Sequence, residues 1–274
     1  MHFETLQSIS INGTLTTPND DRCGATAQLA WVVDGATDLA PPGLLGQQGG
    51  AAWLAETASL AFGAALAGNI QASCQTAFVR IEDQFERQKT RDVIAAWEVP
   101  KAAFCLAQLT DNGLSVAWAA DSPILRMSGD DVLWCTGEPD TSAEAEDARA
   151  LGDGVGAARA LSGAVLEDRR AHRAQDGHAA LSPDAQASAA VTRYAHHDIA
   201  VGDELLLMSD GFASLVTDYQ RYSAQELAAA VRSDGLARLA EEIREIEEAD
   251  SACLRFPRFK VSDDATAMWL KIGG

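Results

Sequence analysis

Asp34-Gly35 closes an apolar run, AWVVDGAT at 30–37, and LLLMSDG at 205–211 repeats the device by ending in Asp210-Gly211. Asp263 and Asp264 stand immediately before a further apolar run, Ala265–Ile272. Continuous apolar runs of this length bounded by turn residues have the pattern of buried strands, so three strand ends each present a carboxylate. Two more acids join them. Asp121 directly follows the apolar run Leu114–Ala120, and Asp21 lies in the acidic turn PNDDR at 18–22, within a strand's length of Asp34. Glycine beside Asp34 lets the backbone approach closely and turn its carbonyl toward whatever the carboxylate binds.

Carboxylates gathered at strand ends repel one another, and each raises its neighbour's pKa unless a cation takes up the charge. Carboxylate, carbonyl and water are hard oxygen donors, which suit Mg2+ or Mn2+ better than zinc. Two such ions roughly 3.5–4 Å apart can share a water, lower its pKa and stabilise charge on an attacked phosphoryl group. The chemistry expected of the cluster is therefore phosphoester hydrolysis. No G-x-S-x-G elbow, Walker A loop or H-E-x-x-H element points elsewhere. GDGVGA at 152–157 matches a dinucleotide fingerprint in letters alone, because the charged, Ala-rich stretch at 143–151 reads as helix and the fingerprint needs a strand there. His196 and His197 are neighbours in an extended segment, point to opposite faces and do not chelate together.

The elements that must position the acids are of both kinds. Phe3–Ile11 and Thr14–Thr17 flank Asn12-Gly13 and predict an N-terminal β-hairpin, followed by a central strand at Gln28–Val33. After a Pro-Gly loop at 41–50, Ala51–Ala67 predicts a helix stopped at Gly68, and Gln71–Lys89 a second helix with Ala77, Ile81 and Phe85 on one face. Ala102–Leu109, Leu114–Ala120, Pro123–Met127 and Val132–Thr136 are short apolar runs separated by tight turns, the pattern of an antiparallel meander. Between Gly137 and Ala190 the periodicity dissolves, and a flap or helical insertion is expected. Ser223–Asp250 predicts a long amphipathic helix bent near Gly235, and the run after Asp263 a closing strand. With no internal repeat and no linker, 1–274 reads as one domain.

Composition narrows the partners. The 274 residues are 47% hydrophobic and carry a formal net charge of −19 at pH 7. That charge argues against nucleic acid, whose binding depends on Lys and Arg neutralising phosphates, and favours cations or basic partners. Without an apolar run of about 18 residues or a signal pattern, a cytoplasmic protein with no membrane partner is expected. The five scattered cysteines, with no C-x-x-C pair, read as reduced core residues.

In order and context the acidic motifs resemble those of the metal-dependent protein phosphatases of type 2C. Asn19-Asp20-Asp21 is similar to the family's Asn-Glu-Asp, Val33-Asp34-Gly35 to its central Asp-Gly, and Ala120-Asp121-Ser122 to its Gly-Asp-Ser. Ser209-Asp210-Gly211 resembles its Ser-Asp-Gly, and Asp263-Asp264-Ala265-Thr266 its terminal Asp-Asn-x-Thr. The resemblance implies an α+β fold of four layers, an α-β-β-α sandwich in which helices flank two antiparallel sheets, with a two-metal site at one edge. It implies that Asp34 bridges two Mn2+ or Mg2+ ions and that the Gly35 carbonyl, Asp210 and Asp263 complete the coordination. Asp21 would bind directly or through water, and Asp121 with Asp210 would hold a third, weaker ion. Asp34, Asp210 and Asp263 would then be the catalytic residues, with a metal-bridging hydroxide attacking phosphoserine or phosphothreonine in a phosphorylated protein substrate. Two positions depart from the family. Ala36 stands where many relatives have histidine, and Leu15–Pro18 lacks the phosphate-binding arginine many carry, for which Arg22 is the available substitute. The alternative readings are a phosphatase of a small metabolite and a metal-stabilised binding module without turnover.

Overall fold

The computed structural model describes residues 1–40, 43–157, 163–174 and 179–274. Its strands are β1 (His2–Ile11), β2 (Asp21–Ala25), β3 (Leu29–Gly35), β4 (Ala102–Thr110), β5 (Gly113–Ala119), β6 (Ile124–Ser128), β7 (Asp131–Trp134), β8 (Arg193–His197), β9 (Glu204–Met208) and β10 (Ala265–Gly273). The helices are α1 (Gly50–Gly63), α2 (Ile70–Gln88), α3 (Ser142–Leu151), α4 (Gly163–Arg173), α5 (Ala185–Val191), α6 (Asp210–Ala213) and α7 (Ala224–Ala249).

Among the described residues the strands form two five-stranded antiparallel sheets, in the orders β2-β3-β4-β5-β8 and β1-β10-β9-β6-β7. Strands β3, β4 and β9 are apolar on both faces because each sheet has a covered layer on either side. Between the sheets, Val32, Cys105 and Val116 meet Leu205, Leu207 and Leu270. On the outside of the first sheet, Phe62 of α1 and Phe78 of α2 pack around Phe104, with ring centroids 5.3 and 6.0 Å away. Phe212 of α6 and Leu227, Val231 and Ile243 of α7 cover Met127, Leu206 and Met208 of the second. The result is the four-layer α-β-β-α sandwich. All five cysteines are free, and no helix among the described residues is long and apolar enough to cross a membrane.

Two local expectations fail for the same reason, that long-range pairing outweighs a short turn signal. No hairpin forms at the N-terminus: β1 pairs along its length with β10, Phe3 opposite Ile272 and Ile9 opposite Ala267. Thr14–Thr17 instead make a turn tied by their own hydroxyls, and the Gly13 N–H donates to Asp264 Oδ1 at 2.7 Å. The four short strands are likewise two hairpins rather than one meander. β4 and β5 belong to the first sheet, β6 and β7 to the second, and the chain crosses between the sheets at 120–123. Ala120 makes that corner with a φ of 62°, and Pro123 has no N–H to continue a ladder. Helix α1 stops at Gly63, short of the expected Gly68: the N–H groups of Ala64 and Ala65 turn back to the carbonyls of Ala61 and Phe62 at 3.3 and 3.1 Å, and Asn69 then caps α2 by accepting from the Ala72 N–H at 2.9 Å. Helix α7 bends at Gly235, φ 78°, as its sequence predicts.

Candidate metal centre

Antiparallel pairing of β2 with β3 sets Asp21 directly opposite Asp34, so the two carboxylates share one face. The Gly35 N–H donates to the Asp20 carbonyl at 3.1 Å, and a Cβ on Gly35 would lie 2.7 Å from that oxygen and 2.8 Å from the Ala51 carbonyl. Only glycine allows β3 to end so tightly between the acidic turn and α1. At the end of β9, Asp210 opens α6, and a Cβ on the following Gly211 would collide with the Asp264 carbonyl. Asp264 then fastens the N-terminal turn to the loop before β10, its two oxygens accepting from the N–H groups of Gly13 at 2.7 Å and Asp20 at 2.6 Å. Arg244 on α7 holds the same loop from behind, donating to the carbonyls of Asp263 at 2.7 Å and Asn12 at 3.1 Å.

These contacts surround a cavity of about 240 Å³. Asp34, Gly35, Asp121, Asp210 and Asp263 line it from the strand ends, with Lys260 from the preceding loop. Helices α3 and α4 close the far side with Glu144, Arg169, His172 and Arg173. Asp21 is buried beside Asp34, and neither of its carboxylate oxygens has a hydrogen-bond partner; Asp210 Oδ1 has none either.

Electrostatics follow from that crowding. Burial and then the charge of Asp263 push Asp21 up to about 7. Burial, Asp21 and Asp210 hold Asp34 well above the ordinary carboxylate range, and burial, Asp263 and Asp121 do the same to Asp210, although both keep a strip of surface toward the cavity. Asp20 rises to about 7 through burial and the neighbouring Asp264. The counter-charge is Lys260, which forms an ion pair with Asp263 and donates to Thr37 Oγ1 at 3.3 Å. Burial alone would lower its pKa, yet Asp263, Asp210 and Asp34 together hold it above the usual lysine value.

Among the described residues, no three acidic, histidine or cysteine side chains already stand in ligand geometry. The donors nevertheless fit a hard divalent cation: the unpartnered oxygens of Asp21 and Asp210 are buried in a cluster whose charge one lysine does not balance.

The structure thus brings Asp34, Gly35, Asp121, Asp210 and Asp263 to one cavity and Asp21 against it. Arg22 is not brought there. It is the next residue along β2 and faces the other way, its Nη1 donating to the carbonyls of Asn19 and Asp21, both at 2.7 Å. His196 and His197 point apart as expected, to the carbonyls of Asn112 and Cys135, and His178 lies outside the described residues. Sequence reasoning missed Glu144, Arg169, Arg173 and Lys260. The only local signals were the basic run DRRAHR at 168–173 and a lysine three residues before Asp263.

No protein-family model and no curated protein sequence matches the chain. Solved structures do. All of this chain superposes on the whole of the serine/threonine phosphatase PstP/Ppp of Mycobacterium tuberculosis, at 17% identity and a TM-score of 0.58. The catalytic domain of PstP in complex with 2 manganese ions is similar over 100% of this chain and 99% of that one, at 15% identity and a TM-score of 0.58. The PPM Ser-Thr phosphatase MsPP of Mycobacterium smegmatis, in complex with cacodylate, is similar over 98% of this chain and 99% of its own, at 18% identity and a TM-score of 0.55.

Proposed function

From a chain with the fold of the PPM serine/threonine phosphatases, we propose a metal-dependent phosphatase that hydrolyses phosphomonoesters, with phosphoserine or phosphothreonine of a protein as its substrate. The observation that carries this reading is the set of unpartnered carboxylate oxygens on Asp21 and Asp210, beside the cavity that Asp34, Asp210 and Asp263 line. The manganese ions of the PstP structure support two ions here as well.

Asp34, the Gly35 carbonyl, Asp210 and Asp263 would hold them, with Asp21 bound directly or through water; Asp121 with Asp210 would take a third. Bound there, Mn2+ or Mg2+ supplies a nucleophile at neutral pH and offsets the charge that builds on a phosphoryl group. The protein's part is to hold the acids rigidly. Asp264, Gly211 and Arg244 fix the loop that carries Asp263, Gly35 fixes the end of β3, and α3 and α4 narrow access for bulk water. In this reading 1–274 is one catalytic domain, and α3 and α4, within the insertion expected at 137–190, cover the site.

The test is hydrolysis of p-nitrophenyl phosphate and of a phosphothreonine peptide by metal-stripped protein titrated with Mn2+ and Mg2+, alongside Asp34→Asn and Asp210→Asn. Metal-dependent turnover lost in both variants is expected, and preference for a sugar phosphate over the peptide would move the substrate to small metabolites. Ions bound without any turnover would leave a binding module, with Ala36 as one reason.

A further inference from the structure

A phosphomonoester dianion entering a cavity walled by Asp34, Asp121, Asp210 and Asp263 needs more than metal charge to hold its free oxygens. Among the described residues, three cationic side chains other than the histidine line that cavity: Lys260, Arg173 and Arg169. Lys260 is engaged with Asp263, and Arg173 Nη2 donates to the Thr37 carbonyl at 2.9 Å. Their neighbour Arg170 serves to dock the helix, giving Nε and Nη2 to the Leu39 carbonyl at 3.0 and 2.6 Å and lying 4.0 Å from the centre of the Trp97 ring.

Arg169 has Glu144 as a neighbouring charge but differs from all of these in its hydrogen bonds. Its guanidinium carbon lies 3.5 Å from the centroid of the Phe259 ring, a stacking that fixes the plane of the group. Its Nε and Nη2 are buried without a hydrogen-bond partner. Those two nitrogens form one edge of the guanidinium, the edge that presents parallel N–H donors to two oxygens of a phosphate. A charged group held in plane with its donor edge desolvated and unused costs free energy unless a ligand completes it.

Building on the phosphatase reading, we propose that Arg169 of α4 is the phosphate-binding residue of this site, gripping the substrate's non-bridging oxygens through Nε and Nη2. Arg22 has no part in it. Phosphate recognition is thereby placed on the insertion that covers the acids, so the same helix that closes the cavity reads the group to be cleaved.

The experiment uses the full chain loaded with Mn2+ and compares wild type with Arg169→Ala, Arg169→Lys and Arg22→Ala. Inorganic phosphate is titrated calorimetrically, KM and kcat are measured on p-nitrophenyl phosphate, and Mn2+ affinity is measured separately. Arg169→Ala is expected to weaken phosphate and raise KM by roughly 10- to 100-fold with Mn2+ affinity unchanged, and Arg169→Lys to recover part of the loss. Unchanged phosphate affinity in Arg169→Ala, or an equal loss in Arg22→Ala, would overturn the assignment. Where Arg169→Ala does not fold, Phe259→Leu takes its place: it keeps the charge, removes the stacking surface and is expected to weaken phosphate several-fold, and no weakening would count against the proposal. A wild-type protein that turns over nothing defeats the phosphatase reading alone, because the phosphate titration still reports on Arg169.

Discussion

Asp34 shows at the scale of one residue how function and stability pull apart. In the metal-free chain its carboxylate is crowded by Asp21 and Asp210, and burial makes each of those charges dearer. Asparagine has nearly the same shape and no charge. Asp34→Asn is therefore expected to stabilise the metal-free protein by about 1 kcal/mol, roughly 2–4 °C in melting temperature for a chain of this size, while removing metal binding. A melting temperature that falls in the metal-free variant would mean that the acids are balanced by something other than a missing cation. Ala120 gives the opposite kind of prediction. It holds a φ of 62° immediately before Asp121, a conformation that costs an alanine about 1 kcal/mol or more and a glycine little. Ala120→Gly is expected to be neutral or stabilising by up to about 1 kcal/mol in chemical denaturation, although the same exchange in a strand interior weakens a protein. Asp34, Asp121, Asp210 and Asp263 were legible in the sequence, since each stands at the end of a continuous apolar run bounded by turn residues, and Asp21 was legible from the acidic turn before them. Arg169 and Lys260 were not, because they come from segments without periodicity, and only the fold turns them inward.

Among elements, the loop before β10 is held by the helix that precedes it, which also ties it to an N-terminal turn far away in the chain. Arg244 of α7 reaches the carbonyls of Asn12 and Asp263 with Nη2, while its Nη1 pairs with Glu247, which is buried and also accepts from the Tyr219 hydroxyl at 3.3 Å. Removing the guanidinium leaves a buried carboxylate unpaired, which costs about 3 kcal/mol. Arg244→Ala is accordingly expected to lower stability by about that amount and to weaken Mn2+ binding by loosening Asp263. The double variant with Glu247→Gln separates the two effects: stability should largely return, and metal affinity should not. Restored metal affinity in the double variant would show that Arg244 acts on the global fold and not on the loop. Strands and helices were readable because their patterns are local; their partners were not. Phe3–Ile11 carries nothing that names β10 as its neighbour, and the corner at 120–123 that sends β6 into the second sheet looks in sequence like any hairpin turn.

Taken as a whole, a chain with a net charge of −19 concentrates costly repulsion in and beside one cavity, so its stability is expected to depend on pH and, with the proposed ions, on metal. Asp20 and Asp21 are pushed up to about 7, and Asp34 and Asp210 lie well above the ordinary value, whereas in the unfolded chain all four titrate near about 3.9. The folded metal-free state therefore binds more protons than the unfolded state between those limits, and its stability, fully present below the unfolded pKa, is lost as pH rises through the folded ones. Lys260 does not reverse the trend, since its raised pKa keeps it charged throughout the window. A divalent cation competes with those protons, so Mn2+ binding should tighten as pH rises and release protons as it does so. Metal-stripped protein is thus expected to melt at lower temperature at pH 8 than at pH 5, and saturating Mn2+ to flatten or invert the slope. Surface repulsion would be screened in ~0.5 M salt, but the buried acids are screened far less, so the slope should survive the salt. A metal-free melting temperature that holds level or climbs from pH 5 to pH 8 would mean that these carboxylates are ionised and balanced without metal, and the candidate centre would lose its electrostatic reason to bind one.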